Sequence, residues 1–405
     1  MKTSRYEYIN DEQMNLIKIE HDKCTGCGAC MKECPMLKAY CSSPKNLLYA
    51  LASGKYFSDH DQDSDYIQNL RMPFTCTLCG YCDHVCPENV SLKNIFYALK
   101  KDIIHHMGYP KAFGKLPLSF HQNLSFSRAF SSRPVKSKKN DTAHSKNRLF
   151  IPGCSPSAYS PNIVTSVYKA LNDQSPTIFL KKCCGNPTLS VGNIKEFKRF
   201  TQPLVQEVNA LAPSEIIVLC MNCYNTFRKL FPTIPVLTIW EVYLRDGLPS
   251  HRRGLDKGSS KFPPFTLHDP CPTRHHGHIH EAVRQVLNLM QVEFFEYKAN
   301  KHLTVCCGSG AMLSLIHTDL SEAHKSKRAK EAQTEHILTY CQECAESLNR
   351  SDKKAVHILD LLFGEMSSPN YEGGFEQEQH TTLKKWMHRR IVKSRSDSTK
   401  NGNIE

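Results

Sequence analysis

Two stretches near the start of the chain repeat one cysteine spacing: Cys24-Thr-Gly-Cys27-Gly-Ala-Cys30-Met-Lys-Glu-Cys34-Pro35 and Cys76-Thr-Leu-Cys79-Gly-Tyr-Cys82-Asp-His-Val-Cys86-Pro87. Three thiolates on one tight turn cap three corners of an iron–sulfur cubane, while the fourth, fixed by its proline, points to the other cluster of a two-cluster ferredoxin. On that crossed pattern Cys24, Cys27, Cys30 and Cys86 hold one [4Fe–4S] cluster, and Cys76, Cys79, Cys82 and Cys34 hold the other. Gly26, Gly28 and Gly80 let the backbone turn and bring N–H groups toward the sulfurs. Zinc takes four ligands in spaced pairs, which two close-packed runs of four do not offer.

Ten more cysteines form two sets of five: Cys154, Cys183, Cys184, Cys220 and Cys223, then Cys271, Cys306, Cys307, Cys341 and Cys344. Each set is a lone cysteine, a Cys-Cys-Gly and a Cys-x-x-Cys. Adjacent thiols point in different directions, so both binding a single zinc is strained, whereas a cluster of several irons accepts both. Of the 19 cysteines only Cys41 falls outside the four sets, and an inert thiol is expected there. Thiols stay reduced in the cytosol, and the first 15 residues contain no apolar leader stretch, so a disulfide framework is a poor account of them.

The elements that position these sulfurs repeat as well. Arg148–Cys154 corresponds to Phe265–Cys271, Ile178–Gly185 to Leu303–Gly308, and Glu215–Cys220 to His336–Cys341, with offsets of 117, 123 and 121 residues. Short apolar strands alternate with amphipathic helices at Ile163–Leu171, Phe197–Leu211, Ala282–Met290 and Leu320–Ala332. That order predicts parallel sheets covered on both faces, with ligands at the carboxyl ends of the strands, where every cysteine of both repeats is expected. The fold class is therefore multidomain: an α-helical two-cluster domain over 1–110, a linker over 111–147 of which part is free to wrap an adjoining surface, and two tandem α/β domains over 148–250 and 262–364. Residues 365–405 read as a basic, disordered tail in which Leu383, Trp386, Met387 and Ile391 share one face of a short helix. The tail is read either as solvated or as a peripheral contact with a membrane or a partner.

The net charge of +13 does not make this a nucleic-acid binder. Residues 133–148 and 384–400 carry 11 of the excess charges, and a basic domain face rather than a tail is the usual footprint. No run approaches the ~18 apolar residues of a membrane-spanning helix. The expected location is cytoplasmic, with the inner membrane face as the place for any peripheral contact.

With these motifs in hand, the chain resembles the heterodisulfide reductase-type iron–sulfur proteins over roughly residues 20–110 and 148–362. That group includes the catalytic subunit of heterodisulfide reductase and the iron–sulfur subunits of anaerobic glycerol-3-phosphate and glycolate dehydrogenases. The resemblance implies two cubane [4Fe–4S] clusters and one or two further, noncubane clusters in the Cys-Cys-Gly domains. It also implies that a complete pair of repeats cleaves a disulfide, with one sulfur going to each cluster. Both repeats keep all five cysteines, and Cys184 and Cys307 are the expected reactive positions. The spacing departs at one point: 28 residues separate Cys154 from Cys183, against 34 between Cys271 and Cys306.

Reduction of a disulfide also needs protons. The stretch His268-Asp269-Pro270-Cys271-Pro272-Thr273-Arg274-His275-His276 is dense in groups able to supply them, and His275 or His276 is the expected donor. The plainer reading makes Asp269 and these histidines caps of a strand end and a helix start. Lys181, Lys182 and Arg274 are candidates to offset negative charge on a reduced cluster. Three functions fit: an oxidoreductase subunit reducing a disulfide, an electron relay for a flavin dehydrogenase of glycerol-3-phosphate, glycolate or lactate type, or a zinc-stabilised binding protein. The first two belong to anaerobic metabolism and need a flavoprotein or other redox protein as partner. The relay would send its electrons toward quinone.

Overall fold

The computed structural model describes residues 10–54, 56, 69–108, 125, 127, 129–135, 147–250, 262–350, 352–364 and 382–398. Its first unit is helical. Asn10 caps the Asp11–Lys23 helix by accepting from Gln13 N at 2.9 Å, with Asp11 and Glu12 in the first turn, where the helix dipole favours acids. This helix packs on Pro44–Ala52 and on Leu92–Met107. Their apolar stripes close one core around Ile17, Leu48, Leu51, Ile95, Phe96, Leu99 and Ile103. The cysteine runs lie on the turns that this core holds together.

Two four-stranded parallel sheets follow. The first contains β1 (Arg148–Ile151), β2 (Thr177–Phe179), β3 (Glu215–Val218) and β4 (Val236–Thr238) in the order β2-β1-β3-β4. The second contains β5 (Phe265–His268), β6 (Phe294–Glu296), β7 (His336–Thr339) and β8 (Lys354–His357) in the order β6-β5-β7-β8. Leu149 lies beside Ile178 and Ile216, and Thr266 beside Phe295 and Ile337. The central strands of both sheets are covered on both faces, which is why they read as apolar runs.

The repeats pack reciprocally. The Ile239–Asp246 helix of the first lies on Gly277–Leu289 of the second, and Ile358–Phe363 of the second lies on Pro161–Gln174 of the first. One apolar core runs through both, with Trp240 against the Tyr340 ring at 6.4 Å. Such exchange of equivalent contacts is the mark of a pseudo-two-fold pair.

Three details correct or extend the sequence reading. First, the counterpart of β2 is Phe294–Glu296, not the run before Cys306. β1/β5 and β2/β6 both keep the 117-residue offset, so the longer spacing of the second repeat lies wholly between β6 and Cys306. Cys306 therefore sits well beyond its strand end. Second, part of the linker joins the first sheet: Val135 bridges Phe179 in antiparallel fashion, and Ser132 N donates to Lys181 O at 3.0 Å. Third, the tail contains a 17-residue helix, Thr382–Ser398, packed on Cys154–Tyr159 and Pro161–Gln174. Its packed face is Trp386, Arg389 and Val392, whereas Leu383 and Met387 are 72% and 56% exposed. Arg389 Nε donates to Cys154 O at 3.2 Å, so the helix covers the first cysteine-rich repeat. The stretch 365–381 and most of 111–147 lie outside the described residues. Among those described, no helix is long and apolar enough to cross a membrane.

Candidate iron–sulfur sites

Two cavities in the helical unit collect the eight ferredoxin-type cysteines. Cys24, Cys27, Cys30 and Cys86 line one, and Cys34, Cys76, Cys79 and Cys82 line the other. Cys82 also borders the first, so the two cavities are neighbours. The backbone aims donors at the sulfurs: Leu37 N to Cys34 Sγ, Leu78 N to Cys76 Sγ and Val90 N to Cys86 Sγ, all at 3.4–3.5 Å. Gly28 and Gly80, both left-handed, cap the short helical turns that carry Cys30 and Cys82. Burial and then Cys24 push the Cys30 thiol up to about 12, and burial pushes Cys76 up to about 11 against the pull of Lys100. Crowded, buried thiols of this kind resist ionising until a cationic centre takes their protons' place. The donor set thus fits iron clusters chemically as well as in number.

In the repeats the sulfurs also converge. Cys183 and Cys154 Sγ are 3.9 Å apart, and Cys307 and Cys344 Sγ are 3.1 Å apart. Among the described residues no cysteine is in a disulfide. Gly185 N and Gly308 N turn back to Cys183 and Cys306 Sγ at 3.4 and 3.3 Å. The second cysteine of each adjacent pair is held toward the thiolate by its neighbours, and in the second repeat Cys306 is lowered as well, chiefly by Cys271. Cys183 and Cys223 pull Cys184 down to about 6, and Cys306 and Cys344 hold Cys307 well below the ordinary thiol range. The two sets face each other through reciprocal contacts. Ser155, beside Cys154, donates to Glu343 between Cys341 and Cys344 at 2.5 Å, and Asn225, just after Cys223, donates to Pro272 O beside Cys271 at 2.7 Å.

The helical unit meets the second set directly. The Cys79 thiol contacts Cys306, and that contact, followed by burial, drives Cys79 well above the ordinary thiol range. Arg274 fastens the junction. Its Nε donates to Cys79 O at 3.0 Å and Nη2 to Thr304 O at 2.6 Å, while Nη1 donates to His302 O. His302 and Thr304 belong to the segment lengthened in this repeat, so the insertion forms a docking surface. On the other side, fully buried Lys100 donates to Cys76 O at 2.7 Å and to Ser190 O of the first repeat at 3.4 Å. Burial lowers its pKa to about 8, against the opposing effect of Cys76.

Asp269 is more than a cap. It accepts a bidentate pair from Arg284 at 3.1 and 2.8 Å, Tyr340 OH at 2.8 Å and Lys301 N at 2.8 Å. Burial alone would raise this carboxyl, but Arg284 outweighs it and keeps Asp269 below its usual range. His268, buried at the end of β5, lies with Cys307 and Cys344 in a group whose ligand atoms are all within 4.8 Å of one another. Sequence inspection missed Arg284, Glu296, Arg328 and Tyr340. Comparing the two repeats position by position exposes three of them, because Val167, Phe179 and Leu219 stand where Arg284, Glu296 and Tyr340 do; Arg328 shows itself only through its contact with His268.

The remaining candidates fall elsewhere. His275 faces the helical unit, its ring 6.4 Å from His84, and burial followed by Lys93 and Arg274 lowers its pKa. His276 is bound to Asn225 Oδ1 at 2.7 Å, and burial takes it to about 4. Lys181 donates to Phe130 O, and Lys182 pairs with Glu207. Cys41 donates to Leu37 O at 3.2 Å and is pushed up to about 11 by burial, as suits an ordinary thiol.

Comparison with known proteins matches these parts. The family described as a 4Fe-4S dicluster domain matches residues 23–91, and the one described as a cysteine-rich domain matches 149–228 and 265–349. A component of the dihydromethanophenazine:CoB--CoM heterodisulfide reductase of Methanosarcina acetivorans is 22% identical over 396 residues, covering 87% of this chain and 95% of the relative. An uncharacterized iron–sulfur protein of Methanococcus maripaludis is 22% identical, covering 84% and 71%. A component of the fumarate reductase (CoM/CoB) of Methanothermobacter marburgensis is 23% identical, also covering 84% and 71%.

Proposed function

Because the chain is an iron–sulfur protein of the heterodisulfide reductase type, we propose that it carries electrons from its helical unit into the paired cysteine-rich sites, where a disulfide is reduced. The overall change is RS–SR′ + 2 e⁻ + 2 H⁺ → RSH + R′SH, in which the sulfur–sulfur bond breaks and each sulfur gains one electron and one proton. Clusters held by the four sulfur sets would supply one-electron transfers and, in the two repeats, iron able to take up the separated sulfurs. The contact between Cys79 and Cys306 carries this proposal, because it joins the helical unit to the second repeat with no intervening segment. Cys27 is exposed while Cys30 is buried, so a partner flavoprotein or other redox protein delivers electrons on the Cys24 side. The names of the relatives support a sulfur substrate: two of the three describe a CoB–CoM or CoM/CoB reductase.

Metal analysis and spectroscopy of the anaerobically purified chain test this directly. At four irons per set, about sixteen irons with matching sulfide are expected. Oxidised protein treated with a thiol is expected to show a paramagnetic signal that disappears in Cys184→Ser or Cys307→Ser. A full iron load without any response to thiol leaves an electron relay alone, and about four zincs without sulfide ends both readings.

We assign proton delivery to His275, which with His84 and His302 lines the junction; the His84 and His302 rings are 4.9 Å apart. Turnover of a His275→Ala/His276→Ala double variant is expected to fall about tenfold or more, with a shifted pH profile. Unchanged turnover and profile remove the assignment.

A further inference from the structure

The two cysteine-rich repeats are alike in sulfur and unlike in what surrounds it. The last residue of β1 is Ile151, whereas the last residue of β5 is His268. The residues that follow diverge too: Pro152 in the first repeat, Asp269 in the second. Asp269 then gathers buried Arg284 and Tyr340, and half-buried Glu296 through Arg284, into a polar network; the first repeat has Val167, Leu219 and Phe179, respectively, at these positions. One sulfur set is therefore framed by apolar side chains on these elements and the other by hydrogen-bonding groups.

His268 is fully buried and its orientation is fixed from one side. Arg328 Nε donates to His268 Nδ1 at 3.2 Å. The guanidinium is itself held by Glu331 Oε2 at 2.9 Å, by Ala299 O at 2.8 Å and by the Tyr297 ring, whose centroid lies 3.6 Å from it. A guanidinium donates and does not accept, so Nδ1 must present its lone pair and the imidazole proton must reside on Nε2. That Nε2–H finds no hydrogen-bond partner among the described protein atoms. Buried donors left without an acceptor are rare in folded proteins. The groups gathered with His268 are the Cys307 and Cys344 sulfurs.

On the premise that this sulfur set holds a cluster, we infer that His268 is a positioning residue that donates its Nε2–H to sulfur in the second repeat and makes that site the easier of the two to reduce. A hydrogen bond to cluster sulfur stabilises the added negative charge of the reduced state, and so raises the potential. Ile151 offers the first repeat no such donor. The arrangement suits the path of electrons, since the second repeat is the one that Cys79 touches. The first electron is held nearest its point of entry while the second is awaited.

The test uses the full chain, purified anaerobically, with an EPR-monitored redox titration of wild type, His268→Leu and His268→Gln. With iron and sulfide unchanged, His268→Leu is expected to lower one midpoint and leave the others in place, by about tenfold in the one-electron equilibrium, or 59 mV. His268→Gln, whose amide also donates, is expected to recover much of that shift. In wild type exchanged into D₂O, ENDOR of the same signal is expected to show an exchangeable deuteron that is missing in the leucine variant. Unmoved midpoints in both fully loaded variants would overturn the inference, as would a wild-type signal with no exchangeable deuteron. So would the nitrogen coupling of a directly bound imidazole. If wild type itself contains no iron, the premise fails, a result that iron analysis separates from a failure of the donor alone.

Discussion

Replacing Cys34 with serine is expected to abolish the metal centre built on Cys76, Cys79 and Cys82 and to spare the one built on Cys24, Cys27 and Cys30. Replacing Cys86 is expected to do the reverse. Each change runs against chain proximity, since Cys34 is four residues from Cys30 and 42 from Cys76. The geometry explains why. After burial, the strongest influence raising the Cys34 thiol is Cys79, followed in rank by Cys76, whereas Cys30 feels Cys24, Cys86 and Cys27. Pro35 starts a helix immediately after Cys34 and Leu37 N binds its sulfur, which turns the thiol out of its own run and toward the other. Each variant should lose about four irons and keep the remainder. Metal binding and folding are coupled where ligands come from distant parts of the chain, so thermal stability of the helical unit should fall as well. The two differ in transport. The Cys34 variant breaks the link beside Cys306, so dithionite-reduced Cys24 clusters should fail to reduce the repeats, and freeze-quench EPR reads this directly. Loss of the Cys24 signal in the Cys34 variant would mean that each run is self-contained.

What the sequence reveals and what it hides divide along physical lines. The sulfur sets are legible because cluster binding fixes spacing along the chain, and the duplication is legible because both sheets demand the same apolar strands. The position of β6 is not. Leu303-Thr-Val before Cys306 has the apolar, branched character of a strand, but the 117-residue register puts β6 at Phe294–Glu296, a strand with half-exposed side chains and a weaker signal. The C-terminal helix misleads for a similar reason. Its most apolar stripe includes Leu383 and Met387, which face outward, while the buried stripe includes Arg389, whose partner is a backbone carbonyl 235 residues away. Asp269 and His268 look like strand-end caps locally. Only the fold brings Arg284, Tyr340, Arg328 and Cys307 around them.

Adding a single methyl group at Gly310 is expected to uncouple the helical unit from the repeats without removing any cluster. A Cβ there would lie 2.6 Å from Thr77 O and 3.0 Å from Thr77 Cβ, and Thr77 sits between Cys76 and Leu78 in the second ferredoxin-type run. A backbone carbonyl cannot swing aside as a side chain does, so the interface must open. Gly192 in the first repeat makes the matching approach, its Cβ position 2.7 Å from Lys101 N and 2.8 Å from Lys100 C. It also has a φ of +90°, so Gly192→Ala adds backbone strain that Gly310→Ala does not. Overpacking of this kind costs about 1–3 kcal/mol, a factor of about 5–150 in an equilibrium between docked and separated domains. With iron and sulfide at wild-type levels, electrons placed on the helical unit should reach the repeats more slowly by a comparable factor, and the Gly192→Ala/Gly310→Ala double variant should be slower still. Transfer at the wild-type rate in Gly310→Ala would show that electrons do not cross the Cys79–Cys306 junction, and the order of sites proposed for this chain would have to be redrawn.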